Sequence, residues 1–126
     1  MSMRLALYNH LTANSGGLPV YNREDARVTP ATGAAENQGY IVLWEEGATF
    51  GANDTGSYSF RVAIHYPPGY TEEIDTFIDN FSYLFRNPIA NGGKYYQFSP
   101  GDTSPIVEND DKTISKDRLL LVPAWG

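Results

Sequence analysis

Residues Thr71–Asn87 read TEEIDTFIDNFSYLFRN, entered from Pro67-Pro68-Gly69-Tyr70 and closed by Pro88. Ile74, Phe77, Ile78, Phe81, Leu84 and Phe85 recur at i, i+3, i+4, i+7, i+10 and i+11, the stripe of an amphipathic helix. Asp75, Thr76, Asp79, Asn80 and Ser82 fill the other face. Thr71 is the expected N-cap, since its hydroxyl can accept from a first-turn N–H. Glu72 and Glu73 then sit where the helix dipole favours negative charge, and Arg86 where it favours positive charge. Asn87 precedes a proline, which disfavours further helix. Each large apolar side chain on the stripe gains roughly 1.5–3 kcal/mol on full burial. Such a helix needs a sheet or a second helix beneath it.

The residues just upstream supply that seat. In Ser57–Pro67, Tyr58, Phe60, Val62, Ile64 and Tyr66 alternate with Ser59, Arg61, Ala63 and His65, the pattern of a strand with one apolar face. Further upstream, Tyr40–Trp44 (YIVLW) is a continuous apolar run that suits a strand covered on both faces. Between them Glu45–Gly56 carries Gly47, Gly51 and Gly56 and reads as a long glycine-rich hairpin connection. Met3–Leu11 forms a short helix with either Leu5, Tyr8 and Leu11 or Leu7 and Leu11 on its inner face, stopped at Asn14–Gly17. Leu18–Tyr21 is a first strand, and Pro19 assigns it to an edge or a strand start. Asn22–Gly39 is a polar loop. After a turn at Asn91-Gly92-Gly93, Lys94–Ser99 is a strand, Pro100–Asp111 a loop, and Leu119–Val122 the last apolar strand. The pattern predicts a single α+β domain over 1–126. It has a mainly antiparallel sheet of about four to five strands, with the amphipathic helix and the short N-terminal helix packed on one face.

Composition narrows the function classes. The chain has 126 residues and is 41% hydrophobic, enough for one core. It contains no cysteine, which excludes disulfides, thiolate nucleophiles and cysteine metal sites. No apolar run is long enough to span a bilayer, and the start lacks a signal-peptide core, so a cytoplasmic site of synthesis is expected. The net charge of −6 opposes general nucleic-acid binding. Nine tyrosines offer large rigid area with a polar tip, a composition found at protein–protein contacts as well as on β-rich surfaces.

Motifs for catalysis do not emerge. His10 and His65 stand alone, without metal spacing. His10 is expected at the surface near a helix C-terminus, and His65 on the polar face of its strand. Asp102 and Glu108-Asn109-Asp110-Asp111 lack the calcium-loop pattern. Glu45 and Glu46, adjacent on a strand, point to opposite faces and do not converge as paired carboxylates. There is no Gly-x-Ser-x-Gly elbow and no phosphate-binding loop. No enzymatic activity, cofactor or metal is expected.

The order of elements resembles the tail terminator, or tail completion, proteins of long-tailed bacteriophages. The Arg61–Phe85 strand–Pro-Gly–helix unit carries the likeness, joined by Tyr40–Trp44 and the closing Leu119–Trp125 segment. The resemblance rests on pattern and not on an invariant motif. It implies a structural subunit forming a homohexameric ring, assembled in the host cytoplasm and located in the virion at the head–tail junction. The ring would cap the tail tube protein, stop its polymerisation and face the head connector proteins. DNA would pass through the bore without specific binding, which an acidic surface suits. In this reading the Gly47–Gly56 and Asn22–Gly39 loops reach neighbouring subunits, with Phe50, Asn53, Asp54 and Arg27 as candidate interface residues. Another neck or minor tail protein is the nearest alternative. A small ligand-binding or enzymatic domain, with a pocket between sheet and helix, is the alternative from another class.

Overall fold

The computed structural model describes residues 2–22, 39–50, 56–109 and 113–123. Helix α1 (Ser2–Ala13) leads to β1 (Val20–Asn22), β2 (Tyr40–Phe50) and β3 (Gly56–Tyr66). Helices α2 (Thr71–Asp79) and α3 (Phe81–Leu84) follow. The chain continues through β4 (Ile89–Asn91), β5 (Lys94–Tyr96), β6 (Ser99–Thr103), β7 (Val107–Glu108) and β8 (Ile114–Pro123). The main sheet has six strands in the order β1-β2-β3-β8-β6, with β7 also on β8, and β4-β5 form a separate hairpin. β1 runs parallel to β2, and the other pairs are antiparallel. The α+β class and the mainly antiparallel sheet are as the sequence implies. The strand count is higher than expected.

The alternation in β3 is realised. Phe60, Val62 and Ile64 are buried in one core with Ile41 and Leu43 of β2, Ile114, Leu120 and Val122 of β8, and Ile74, Ile78, Phe81 and Phe85 of the helical segment. Met3, Ala6, Leu7 and Leu11 of α1 join that core, so both helical segments cover the same sheet face. The Leu7/Leu11 face of α1 is therefore the inner one, and Leu5 is 48% exposed. β2 is buried on both faces at its start: Ile41 and Leu43 look into the core, and Tyr40 and Val42 are buried on the other side.

Several expectations are corrected. Thr71 is not the N-cap; Tyr70 holds that position with no side-chain cap, and its carbonyl accepts from Ile74 N–H at 3.2 Å. The reason lies in the preceding turn. Gly69 takes φ +100°, a conformation open to glycine, and the chain folds Tyr70 back onto Tyr66 with ring centroids 5.2 Å apart. The single helix is interrupted at Asn80, whose φ −78°, ψ −3° ends α2. Its carbonyl still accepts from Tyr83 and Leu84 N–H, so the apolar stripe passes through the break.

The glycine-rich connection is shorter than its composition suggests. Gly47, Ala48, Thr49 and Phe50 pair with Ser59, Tyr58, Ser57 and Gly56, after a register shift between Glu45 and Gly47. A bulge lets the strand bend while the ladder continues, which a hydrophobicity pattern does not report. The Lys94–Ser99 strand divides: Lys94–Tyr96 pairs with Ile89–Asn91, and Ser99 opens β6 on the main sheet. The Pro100–Asp111 loop contains most of β6 and all of β7. Pro100 is tolerated because β6 is an edge strand. Gly101 lies close against Leu119, since a Cβ there would stand 3.3 Å from Leu119 Cδ2. The closing strand spans Ile114–Pro123 and lies between β3 and β6, despite Lys116, Asp117 and Arg118. Each of those charges has a partner. Lys116 Nζ meets Asp75 at 3.0 Å, Asp117 meets Arg61 at 2.7 Å, and Arg118 donates to Gly101 O at 3.1 Å and Ile78 O at 3.0 Å.

Candidate assembly surfaces

The helical segment runs back along the sheet it covers. Asp75 meets Lys116, which pairs with Ile64; Ile78 O meets Arg118, which pairs with Val62. Phe85 packs on Phe98, which in turn packs on Phe60. The sheet therefore has two distinguishable ends. At one end β3 finishes at Tyr66 opposite Ile114, and α2 begins. At the other, Ser57 lies opposite Pro123.

The Tyr66 end is acidic and aromatic. Tyr70 is 42% exposed and stacks on half-buried Tyr66 at an interplanar angle of 12°. Glu72 and Glu73 are exposed in the first turn of α2. Burial, then the charges of Glu73 and Tyr70, hold the Tyr66 hydroxyl above its ordinary pKa of 10.0. Val107 and Glu108 of β7 are exposed on this same end, because Glu108 pairs with Ile114. Beside the acids, Glu72, Glu73, Thr76 and Asn80 border a shallow groove floored by half-buried Phe77.

The opposite end is aromatic and cationic. Tyr95 is 74% exposed and borders a crevice with Gln97, Val122 and Pro123 at the finish of β8. Lys94 precedes it, exposed, after the Gly92-Gly93 turn whose φ values are +61° and +80°. On the helical segment, Tyr83 is 65% exposed, and the Arg86 guanidinium lies 4.8 Å above its ring. Gln97 ties the two pieces together by donating to Phe85 O at 2.8 Å. Among the described residues, Arg86 and Lys94 are the exposed cations. The others are partly buried.

The sheet face away from the helices carries a polar cluster. His65, expected on a simple polar face, is half-buried and stacks on Tyr40 with centroids 4.4 Å apart. Its Nδ1 lies 3.3 Å from Thr113 Oγ1, and Asn109 Nδ2 donates to Thr113 O, Thr113 Oγ1 and Ser115 Oγ. The arrangement pins the approach to β8. Beside it, Arg61 bridges Glu46 at 3.0 Å and Asp117, and Trp44 donates to Glu46 at 3.1 Å. His10, expected at the surface near its own helix end, is half-buried and donates from Nε2 to Leu84 O at 2.9 Å, joining α1 to α3.

The side chains of the interface residues named from sequence all lie outside the described residues. Arg27, Asn53 and Asp54 lie outside the described residues. Phe50 ends β2 opposite Gly56, and its side chain is likewise outside the description. Asp110 and Asp111 of the acidic loop are outside it too, while Asp102 and Glu108 are exposed strand residues. Among the described residues no three His, Asp or Glu gather to hold a metal, and no helix is long and apolar enough to cross a membrane. Sequence reasoning missed Tyr83, Tyr95 and Lys94 as surface features. The signal present was Tyr83 off the helical stripe and Tyr95 alternating with Tyr96 beside a Gly-Gly turn.

No protein-family model matches the chain, and no curated protein matches it. Solved structures similar to the chain include one matched over 99% of this chain and 93% of its own length, with a TM-score of 0.54 and 16% identity. That likeness shows a shared α+β fold.

Proposed function

We propose that this protein is a structural subunit of a bacteriophage tail, a tail terminator that caps the tube as a homohexameric ring and faces the head connector. The carrying observation is the Arg61–Phe85 unit. Its strand, Pro-Pro-Gly turn and amphipathic helical segment fold as one piece, with the stripe seated on the apolar face of the strand that precedes it. That unit is where the chain resembles tail terminators. The acidic overall charge supports the reading, because a bore that bound phosphate strongly would retain DNA in transit. The mechanism is steric: a docked ring covers the surface on which the next tube ring would assemble, and no bond is made or broken.

The test is tube assembly. A phage tail tube protein is polymerised with and without the purified chain, and tube length is read by electron microscopy. Shorter tubes with the chain at one end are the expected result. Tubes of unchanged length, with no chain in the pelleted fraction, would refute the proposal. Chain distributed along the tube wall would assign it to the minor tail proteins.

A further inference from the structure

We propose that Asn91 is a site of spontaneous covalent modification, its side-chain amide lost to water after attack by the Gly92 backbone nitrogen. This reaction is independent of the tail reading and follows from the β4–β5 hairpin. Asn91 lies opposite Lys94, and the residues between them, Gly92 and Gly93, take φ +61° and +80°. Positive φ at both centres is the tight two-residue hairpin turn, which leaves Gly92 outside the strand ladder. Gly92, Gly93 and Lys94 are exposed, and Asn91 is half-buried. The base of the hairpin is held, since Tyr96 is buried in the core and Ile89 packs against it. The tip lies beyond that anchor. Each strand has three residues and the pair stands off the main sheet, so the tip can open while the core stays folded. Asn91 has an interaction of its own in the closed hairpin, and the reaction runs from conformers in which that interaction is broken.

The step balances with water as its co-reactant. Solvent base takes the Gly92 N–H proton, and the nitrogen bonds to Asn91 Cγ. The Cγ–Nδ2 bond breaks, and Nδ2 leaves as ammonia with a proton from solvent. Water then adds to either carbonyl of the cyclic imide and opens it. One opening gives an aspartate at position 91. The other gives an isoaspartate, whose backbone runs through the former side chain and is one atom longer. Glycine suits the attacking position because no Cβ obstructs the approach. Lys94 stands cross-strand from Asn91, with Cβ atoms of such pairs roughly 4.5–5.5 Å apart. Its ammonium favours the anionic nitrogen and later pairs with the new carboxylate. The product therefore cancels the charge of Lys94 beside the Tyr95 crevice.

The other asparagines among the described residues are less disposed to react. Asn87 precedes Pro88, which has no N–H to lose. Asn14 donates from Nδ2 to His10 O at 2.8 Å, and Asn109 donates from Nδ2 to Thr113 O and Ser115 Oγ. Asn9, Asn22 and Asn80 are followed by His10, Arg23 and Phe81, whose side chains crowd the attack.

The test incubates the full chain at mildly alkaline pH in heavy-oxygen water and maps the change by mass spectrometry of proteolytic peptides. Conversion is expected at Asn91 ahead of every other asparagine, with a solvent oxygen incorporated. Its rate should rise about tenfold per pH unit, as the fraction of amide anion does. Asn91→Gln should keep its amide. Lys94→Glu should slow conversion a few-fold in the folded chain, verified by circular dichroism, and by less in urea, where the hairpin is gone. An amide that survives in the folded chain but is lost in urea would overturn the proposal, as would another asparagine converting first. A Lys94→Glu chain converting at the wild-type rate would overturn the part assigned to the cross-strand ammonium. None of these readouts depends on tube capping, so this modification and the proposed function stand or fall separately.

Discussion

Replacing Phe81 with alanine tests the packing on which the fold depends. Phe81 opens α3, is fully buried, and sits edge-on between Phe77 and Phe85, with both centroid distances 5.2 Å and interplanar angles of 76° and 73°. Truncating a buried phenylalanine costs about 3–5 kcal/mol through lost transfer energy and the cavity left behind. Each edge-to-face pair contributes about 0.5–1.5 kcal/mol beyond area, which places this site in the upper half of that range. Urea unfolding followed by circular dichroism measures it. With a slope of about 1.5 kcal/mol per molar, the midpoint falls by about 3 M. Thermal unfolding should fall by about 10–15 °C. Phe81→Leu keeps most of the volume and costs about 1–1.5 kcal/mol. An alanine variant with the wild-type midpoint would mean that the stripe is not seated on the sheet, and the account of the core would fail with it.

Three further outcomes follow from particular contacts. Gly39→Ala should destabilise by about 1–3 kcal/mol, because a Cβ there would meet His65 O at 2.6 Å and Tyr66 Cε1 at 2.8 Å; a neutral result in urea unfolding would show that the approach is not tight. Arg118→Lys should cost about 2–3 kcal/mol by the same assay, since one ammonium cannot reproduce the forked donation to Gly101 O and Ile78 O. Equal stability of the two proteins would remove Arg118 as the clasp between α2 and β6. Tyr66 should ionise only above the ordinary value in an ultraviolet titration compared with Tyr66→Phe, its pKa being raised above 10.0 by burial and by Glu73 and Tyr70. A folded pKa above the unfolded one gives stability that is complete below about pH 10 and lost as pH climbs through the folded value. Tyr66→Phe should therefore flatten the alkaline decline of the unfolding midpoint, and an unaltered decline would assign it to other groups.

The six-residue stripe from Ile74 to Phe85 and the alternation from Tyr58 to Tyr66 were legible without coordinates, because helix and strand periods are local properties of the side-chain order. So was the apolar run at Tyr40, buried on both faces. These were enough for the α+β class and for the helix-on-strand unit. The helix start was not legible at Thr71, since Tyr70 stacking on Tyr66 depends on a turn whose geometry lies in Gly69. Neither was β6, where Pro100 and Gly101 read as loop until an edge position and a close approach to Leu119 account for them. The charged run Lys116-Asp117-Arg118 concealed a central strand because its partners, Asp75 and Ile78 of α2, Arg61 of β3 and Gly101 of β6, come from three other segments.

Side-chain order by itself therefore determined which segments must hide a face, and which face. Which strands lie side by side and where a lone histidine bonds were decided by tertiary structure alone. The physical reason is separation along the chain. Hydrophobic burial is a tendency each segment carries with it, whereas hydrogen bonds, ion pairs and charge patches exist only between residues that folding brings together.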